Sequence, residues 1–189
     1  MTLENRVVVI SGATGGLGQV VAKSMAAQGA KLVLLGRTPE RLATLTTELG
    51  LLEDYTLNHA IDLTNPEAAK SAADAALQKF GKIDILLQLV GGWTGGQSVV
   101  DADPNNVAKM LQQHAMTSFH LAKAFVPHLV KNGWGRIVAV SSPFAAAPRA
   151  KGAPYAMGKA AQEALLLTLA QELKGTGVTA NILLVKTID

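Results

Sequence analysis

The sequence predicts an α/β fold: a doubly wound parallel sheet in three layers, helices on both faces, built by a single domain over residues 1–189. Three observations carry this. Short β-branched runs alternate with longer amphipathic stretches from one end to the other. Most of the short runs are continuously apolar, as expected for parallel strands covered on both faces. Helix start and stop signals fall between them, so the alternation reads as strand, helix, strand with right-handed crossovers.

The elements follow in order. A strand at 6–11 (RVVVIS) runs into a glycine-rich loop and a helix over 16–29, closed by Gly29 where a left-handed residue is favoured. A strand at 31–36 (KLVLLG) precedes a helix over 39–49, announced by Thr38-Pro39-Glu40: an N-cap, a proline in the first turn and an acid at the positive dipole end. A strand at 56–61 leads to a helix over 65–79 that repeats the signal as Asn65-Pro66-Glu67 and closes at Gly81. Strands at 83–90, 135–141 and 178–185 alternate with helices over 104–131 and 154–174. No internal repeat or linker interrupts the pattern.

Composition excludes several function classes. Of 189 residues 49% are hydrophobic and 16% charged, too apolar and too weakly charged for disorder. With no cysteine there is no disulfide framework, no cysteine-ligated zinc and no thiol nucleophile. A net charge of +3 without any Lys/Arg run lacks the footprint of a nucleic-acid binder. His59, His120 and His128 show no ligand spacing, so no metal site is expected. The opening Met1-Thr2-Leu3-Glu4-Asn5 is not a secretory signal, and no apolar run approaches the roughly 18 residues of a membrane span. The expectation is a soluble cytoplasmic protein with no membrane partner.

The first strand runs straight into Ser11-Gly12-Ala13-Thr14-Gly15-Gly16-Leu17-Gly18, with a helix following. The spacing Gly12-x-x-x-Gly16-x-Gly18 lets a backbone turn tightly and come close to a pyrophosphate seated on a helix N-terminus. In strand–loop–helix context this predicts a dinucleotide site of Rossmann type. An acid after the second strand would hold a ribose 2′-hydroxyl, whereas an arginine accommodates a 2′-phosphate. Here Gly36-Arg37 stands there with no acid between Lys31 and Thr38, which favours NADP(H) and leaves NAD(H) as the alternative. Asp62, just past the third strand, reads either as an adenine contact or as an ordinary loop aspartate.

Tyr155 and Lys159 open the last helix as an i, i+4 pair on one face, so a phenol and an ammonium converge. A phenol near its reference pKa of about 10 is a poor base at neutral pH, and a neighbouring cation favours the phenolate. Ser142 ends the fifth strand 13 residues upstream of Tyr155, at a C-terminal strand end, where open parallel sheets place ligands. A hydroxyl there can donate to a substrate oxygen as charge develops on it.

With these landmarks in place the chain resembles a classical short-chain dehydrogenase/reductase over essentially its whole length. The matching positions are Gly12, Gly16, Gly18, Asp62, Gly91, Ser142, Tyr155, Lys159 and Asn181. Within that family it is similar to the broad group containing the 3-oxoacyl carrier-protein reductases. The resemblance implies that Tyr155 donates or accepts the proton, that Ser142 positions the substrate oxygen, and that Lys159 holds the nicotinamide ribose while depressing the tyrosine pKa. It implies cofactor contacts at Gly12, Thr14, Gly15, Gly16, Leu17, Gly18, Arg37, Asp62, Leu63, Val90, Gly91, Tyr155, Lys159 and Ile188. It also implies a homo-oligomer, a dimer or tetramer, through helices 104–131 and 154–174, where Met110, Leu111, Phe119, Phe125 and the leucines of 165–169 fit such a face.

The chain departs from the family pattern in three places. The family's Asn-Asn-Ala-Gly after the fourth strand is Gln88-Leu89-Val90-Gly91 here, keeping the close backbone and losing polar bracing. The helical asparagine that helps a proton relay aligns with His114, a group that can also relay protons. The Pro-Gly after the sixth strand is Val185-Lys186, which puts Ile188 where a backbone group normally meets the nicotinamide carboxamide. The family ordinarily continues with a seventh strand and a substrate lid, so the expectation is six strands with the last at an apolar sheet edge. The function expected is hydride transfer between NADP(H) and a small-molecule carbonyl or alcohol. The rival readings are a nucleotide-binding sensor without turnover and an inactive truncated form of such an enzyme.

Overall fold

A computed structural model describes residues 2–186. Strands β1 (Val7–Ser11), β2 (Lys31–Gly36), β3 (Thr56–Ala60), β4 (Ile85–Gln88), β5 (Gly135–Ser141) and β6 (Val178–Leu184) form one six-stranded sheet in the order β3-β2-β1-β4-β5-β6. Every pairing is parallel. Helices α1 (Gly16–Ala27), α2 (Pro39–Leu49), α3 (Pro66–Phe80), α4 (Pro104–Leu111), α5 (Thr117–Lys131) and α6 (Ala153–Glu172) supply the crossovers. This is the Rossmann-like α/β arrangement that the alternation of runs predicts.

The alternation of side chains along β1 divides the core in two. Val8 and Ile10 pack with Leu32, Leu34, Leu42 and Leu45 on the face covered by α1 and α2. Val7 and Val9 face the other way, against Leu86, Ile137 and the apolar stripes of α3, α5 and α6. β1 and β2 are buried on both faces and lack a polar alternation, whereas the outer strands β3 (TLNHA) and β6 (VTANILL) are partly exposed. Strand order reverses between β1 and β4, so the crevice beyond their C-terminal ends is the natural ligand position.

Two strands are anchored at their entry by one carboxylate. Asp84 accepts from Arg6 Nη1 at 2.7 Å and from the Val7 amide at 2.9 Å, with Lys82 Nζ at 3.0 Å. Burial alone would raise its pKa, but the Val7 amide and the two cations outweigh it and hold the carboxyl below its ordinary range.

Several local expectations change. Asn65 accepts from the Glu67 amide at 3.1 Å and caps α3 as predicted, whereas Thr38 occupies the N-cap of α2 without a side-chain bond. A 3₁₀ turn at Glu53–Tyr55 precedes β3, and β4 is shorter than the run 83–90 because the chain leaves the sheet at Leu89 to bound the crevice. The helix expected over 104–131 is broken: a π segment, Gln112–Met116, separates α4 from α5. The Gln112 carbonyl accepts from the Thr117 amide, which gives the wider turn, and from Thr117 Oγ1 at 3.1 Å. Of the residues proposed for an oligomer face, Met110 and Phe125 are consumed by the core, while Phe119 and Leu167 remain exposed. β6 lies at one edge of the sheet, with Leu183 and Leu184 half exposed.

Candidate active site

The glycine loop is folded tightly against its neighbours. Gly12 has φ +75°, and a Cβ there would stand 2.9 Å from the backbone of Leu89 and Val90. A Cβ on Gly18 would stand 2.1 Å from the Gly12 carbonyl oxygen. Both positions therefore demand glycine, for contact between backbones. The amides of Gly12 and Ala13 share the Leu35 carbonyl at 3.1 Å each, seating the loop on β2. Gly15 is the N-cap of α1, and the first helical bond is Gln19 N–H to Gly15 O at 2.9 Å. The amides of Gly16, Leu17 and Gly18 thus have no helical acceptor and sit at the positive end of the helix dipole.

These residues line a cleft of about 570 Å³ at the β1/β4 switch point, together with Thr14, Arg37, Asp62, Leu63, Val90 and Gly91. The volume lies within the range of small-molecule sites, roughly 300–1,000 Å³. Every nucleotide contact expected from the sequence before Tyr155 is on this wall; Ile188 lies outside the described residues. Arg41, in the first turn of α2, joins Arg37 there and donates to the Thr14 carbonyl at 3.2 Å. Asp62 accepts from the Thr64 amide at 3.0 Å and the Thr64 hydroxyl at 2.8 Å; these two bonds, then the Arg37 charge, hold its carboxyl below the usual range.

Helix α4 and the π segment close the cleft with residues the sequence did not mark. Gln112 Nε2 donates to the Thr64 carbonyl at 2.8 Å, Gln113 Nε2 donates to the Gly91 carbonyl, and Lys109 adds a third cation to the lining. The only sequence signal for them is a polar stretch, Gln112-Gln113-His114, beside an apolar helix face.

None of Ser142, Tyr155 and Lys159 lines this cleft, although Tyr155 and Lys159 were expected to meet the cofactor. Ser142 follows β5; its Oγ accepts from the Phe144 amide at 3.3 Å, and the Phe144 ring meets Tyr155 edge to face at 5.8 Å. Tyr155 is half buried in the first turn of α6. His114 contacts its ring from the opposite element, also edge to face, at 5.5 Å. Lys159, 4% exposed, donates to the Val140 carbonyl at 2.7 Å and to Gln162 Oε1 at 3.0 Å. Burial lowers its pKa to about 8, against the opposing pull of Glu163.

His114 is fully buried, and its Nε2 lies 3.1 Å from the Gly92 carbonyl. Burial first, and the Lys159 charge second, lower its pKa to about 4. The imidazole is therefore neutral at physiological pH, with Nε2–H donating to Gly92 and Nδ1 left without a partner. Gly158 makes this packing possible: a Cβ there would stand 2.7 Å from the Met110 carbonyl oxygen and 3.1 Å from the His114 ring. Gly92 borders the cleft and His114 borders Tyr155, so one hydrogen bond joins the two halves of the site.

The departure at Gln88 has the cost its residue type implies. Its amide is buried at the end of β4 with neither Nε2 nor Oε1 bonded, and Ser141 Oγ on β5 is likewise unpartnered among the described residues. Histidine positions add nothing metal-like: His59 Nε2 meets Ser71 Oγ at 3.1 Å and His120 Nδ1 lies 3.5 Å from the Leu63 carbonyl. Among the described residues no group of three metal-ligating side chains occurs, and no helix is long and apolar enough to cross a membrane.

Known proteins share this sequence pattern and fold. Dehydrogenase/reductase SDR family member 7B of Bos taurus is 32% identical over 96% of this chain, which spans 57% of that protein's length. L-Sorbose reductase from Gluconobacter frateurii, solved with NADPH and L-sorbose, superposes with a TM-score of 0.87 at 27% identity, covering 96% of this chain and 69% of its own. NAD+-bound xylitol dehydrogenase superposes at 0.90 with 26% identity, covering 96% and 70%. The family model for short chain dehydrogenases matches residues 6–189, and on that match and this fold the chain belongs to the short chain dehydrogenase family.

Proposed function

We propose that the protein is an NADP(H)-dependent oxidoreductase that interconverts a carbonyl and an alcohol on a small molecule, with Tyr155 as the acid/base. The observation that carries this reading is the junction at Gly92: the cleft ends where His114 holds the Gly92 carbonyl, and the same imidazole packs on Tyr155.

The cleft fits a nicotinamide dinucleotide by its own chemistry. The free amides of Gly16, Leu17 and Gly18 suit a pyrophosphate, with Gly12, Thr14 and Gly15 shaping the turn beneath it. Arg37 and Arg41 suit a 2′-phosphate, and no carboxylate stands at the end of β2 to prefer a free hydroxyl. Asp62 and Leu63 form the adenine end, Val90 and Gly91 the wall under the ribose, and Ile188 stays a proposed carboxamide contact. Related structures include NADPH and NAD+ complexes, so the choice of NADP(H) rests on the two guanidiniums. When bound, the cofactor supplies or accepts the hydride.

In the reducing direction Ser142 Oγ–H donates to the substrate carbonyl oxygen, and the Tyr155 hydroxyl gives that oxygen its proton as the C–H bond forms. Lys159, charged at neutral pH and one helical turn from Tyr155, stabilises the resulting phenolate and takes up the nicotinamide ribose with its remaining proton. His114 acts as a neutral brace: its Nε2 holds the Gly92 carbonyl while its ring packs on Tyr155.

A homo-oligomer, and a cytoplasmic location, complete the proposal. The exposed Met116, Phe119 and Leu167 on the π segment, α5 and α6 support the former. The test of function is NADPH binding followed by quenching of Trp93 or Trp134, then NADPH oxidation against a panel of carbonyls. Binding without turnover of any carbonyl would favour a nucleotide sensor.

A further inference from the structure

Lys159 is held by a two-link chain that the reaction as described does not use. Its Nζ donates to Gln162 Oε1 at 3.0 Å, and Gln162 Nε2 donates to Ser118 Oγ at 2.8 Å. All three residues are buried, with Gln162 and Ser118 each 2% exposed. Lys159 and Gln162 lie on α6, Ser118 in the first turn of α5, so the chain ties two helices together beneath the site.

We infer that Gln162, oriented by Ser118, is a positioning residue that fixes where the Lys159 ammonium sits and keeps it charged. The chemistry is directional. A carboxamide presents an acceptor at one end and donors at the other; the ammonium can only donate and so takes the Oε1 end, while Ser118 Oγ accepts from Nε2 and holds the amide in that plane. The oxygen of Gln162 is thereby turned to the ammonium. With the Val140 carbonyl at 2.7 Å, it occupies two of three ammonium protons from the core side. The third is left for the Tyr155 side of the helix. A buried ammonium is neutral unless acceptors replace its water, and Gln162 is one of the two that do.

The other groups facing this ammonium are known. Glu163 on α6 favours its charge, His114 on the π segment is neutral, and Tyr155 lies one turn earlier on α6. Among these only Gln162 gives Lys159 a neutral, fixed side-chain acceptor. The inference rests on the proposed role of Lys159 for its link to catalysis, but the effect on Lys159 itself does not.

The test is the titration of Lys159 in the whole protein, read by NMR of ¹³Cε-labelled lysine and assigned by the signal lost in Lys159→Arg. Gln162→Met removes the acceptor with little change in volume, and lowers the Lys159 pKa by about one unit. Gln162→Glu replaces the acceptor by a carboxylate and raises it by about one unit or more. Ser118→Ala frees the amide to turn and shifts the pKa in the direction of Gln162→Met by a smaller amount. It also stands in if Gln162→Met does not fold. Where the enzyme turns over, the alkaline limb of kcat/KM moves with each variant in the same direction. Opposite shifts in the two Gln162 variants support the inference. Unchanged titrations, or shifts of one sign in both, overturn it in favour of a structural bridge between α5 and α6. Because the titration needs neither cofactor nor turnover, failure of NADPH binding would sink the nucleotide reading and leave this result legible.

Discussion

The Nε2 of His114 lies 3.1 Å from the carbonyl oxygen of Gly92, fastening the π segment to the loop that bounds the nucleotide cleft. The bond fixes the tautomer, and its buried setting keeps the ring neutral. A native pKa near 4 against an ordinary value of 6.5 means that unfolded chains bind more protons between those limits. The neutral ring's contribution is full above pH 6.5 and is lost as pH falls towards 4, in total by roughly 3 kcal/mol. His114→Asn removes this titration. Chemical denaturation at pH 7 and pH 4.5 is expected to show a smaller acid loss in the variant than in the wild type.

Asp84 makes a second acid-sensitive contribution at the other end of the sheet. Its depressed pKa stabilises the fold above the ordinary carboxylate value and is lost as pH falls below it. Asp84→Asn leaves Arg6 and Lys82 without their carboxylate while keeping the side chain's shape. A loss of about 1–3 kcal/mol at pH 7, shrinking towards pH 3, is expected from urea midpoints.

Gly158 separates packing from chemistry. Gly158→Ala puts a methyl against the Met110 carbonyl, a rigid backbone atom, so the helices must part. The expected cost is about 1–3 kcal/mol. Loss of activity should exceed the loss explained by unfolding, because α6 carries Tyr155 and Lys159. Melting curves and kcat measured on the folded fraction check both parts.

The two guanidiniums give distinct outcomes. Arg37→Asp removes a cation and introduces an acid beside the 2′-position, so preference turns from NADPH towards NADH. Arg41→Ala weakens NADPH by about tenfold and leaves NADH nearly unchanged, the scale of one charge-assisted contact. Fluorescence titration with both cofactors reads the ratio. An unchanged ratio in both variants removes the 2′-phosphate argument.

What the sequence revealed and what it hid follow from the range of the interactions. The six strands and the glycine loop are set by local patterns: apolar runs, and a positive φ at Gly12 that only glycine tolerates. Asn65 announces a helix start because its bond to Glu67 spans two residues. The π segment has no such local cause. It depends on Thr117 reaching back to Gln112, on His114 reaching Gly92, and on Gly158 from α6 allowing the approach. Arg41 was missed because only the β2–β1 pairing brings its helix turn beside Thr14. Gln162 carried a faint signal, a polar residue three positions after Lys159 in an apolar helix. Its meaning required Ser118, 44 positions away.

In the proposed function Tyr155 carries the proton transfer. Steady-state oxidation of NADPH with a carbonyl panel, wild type against Tyr155→Phe, tests it most directly. Turnover by the wild type and a loss of about 10²–10⁴-fold in kcat for the variant are expected, with NADPH binding retained in the fluorescence titration. A Phe variant that turns over as fast as the wild type would contradict it.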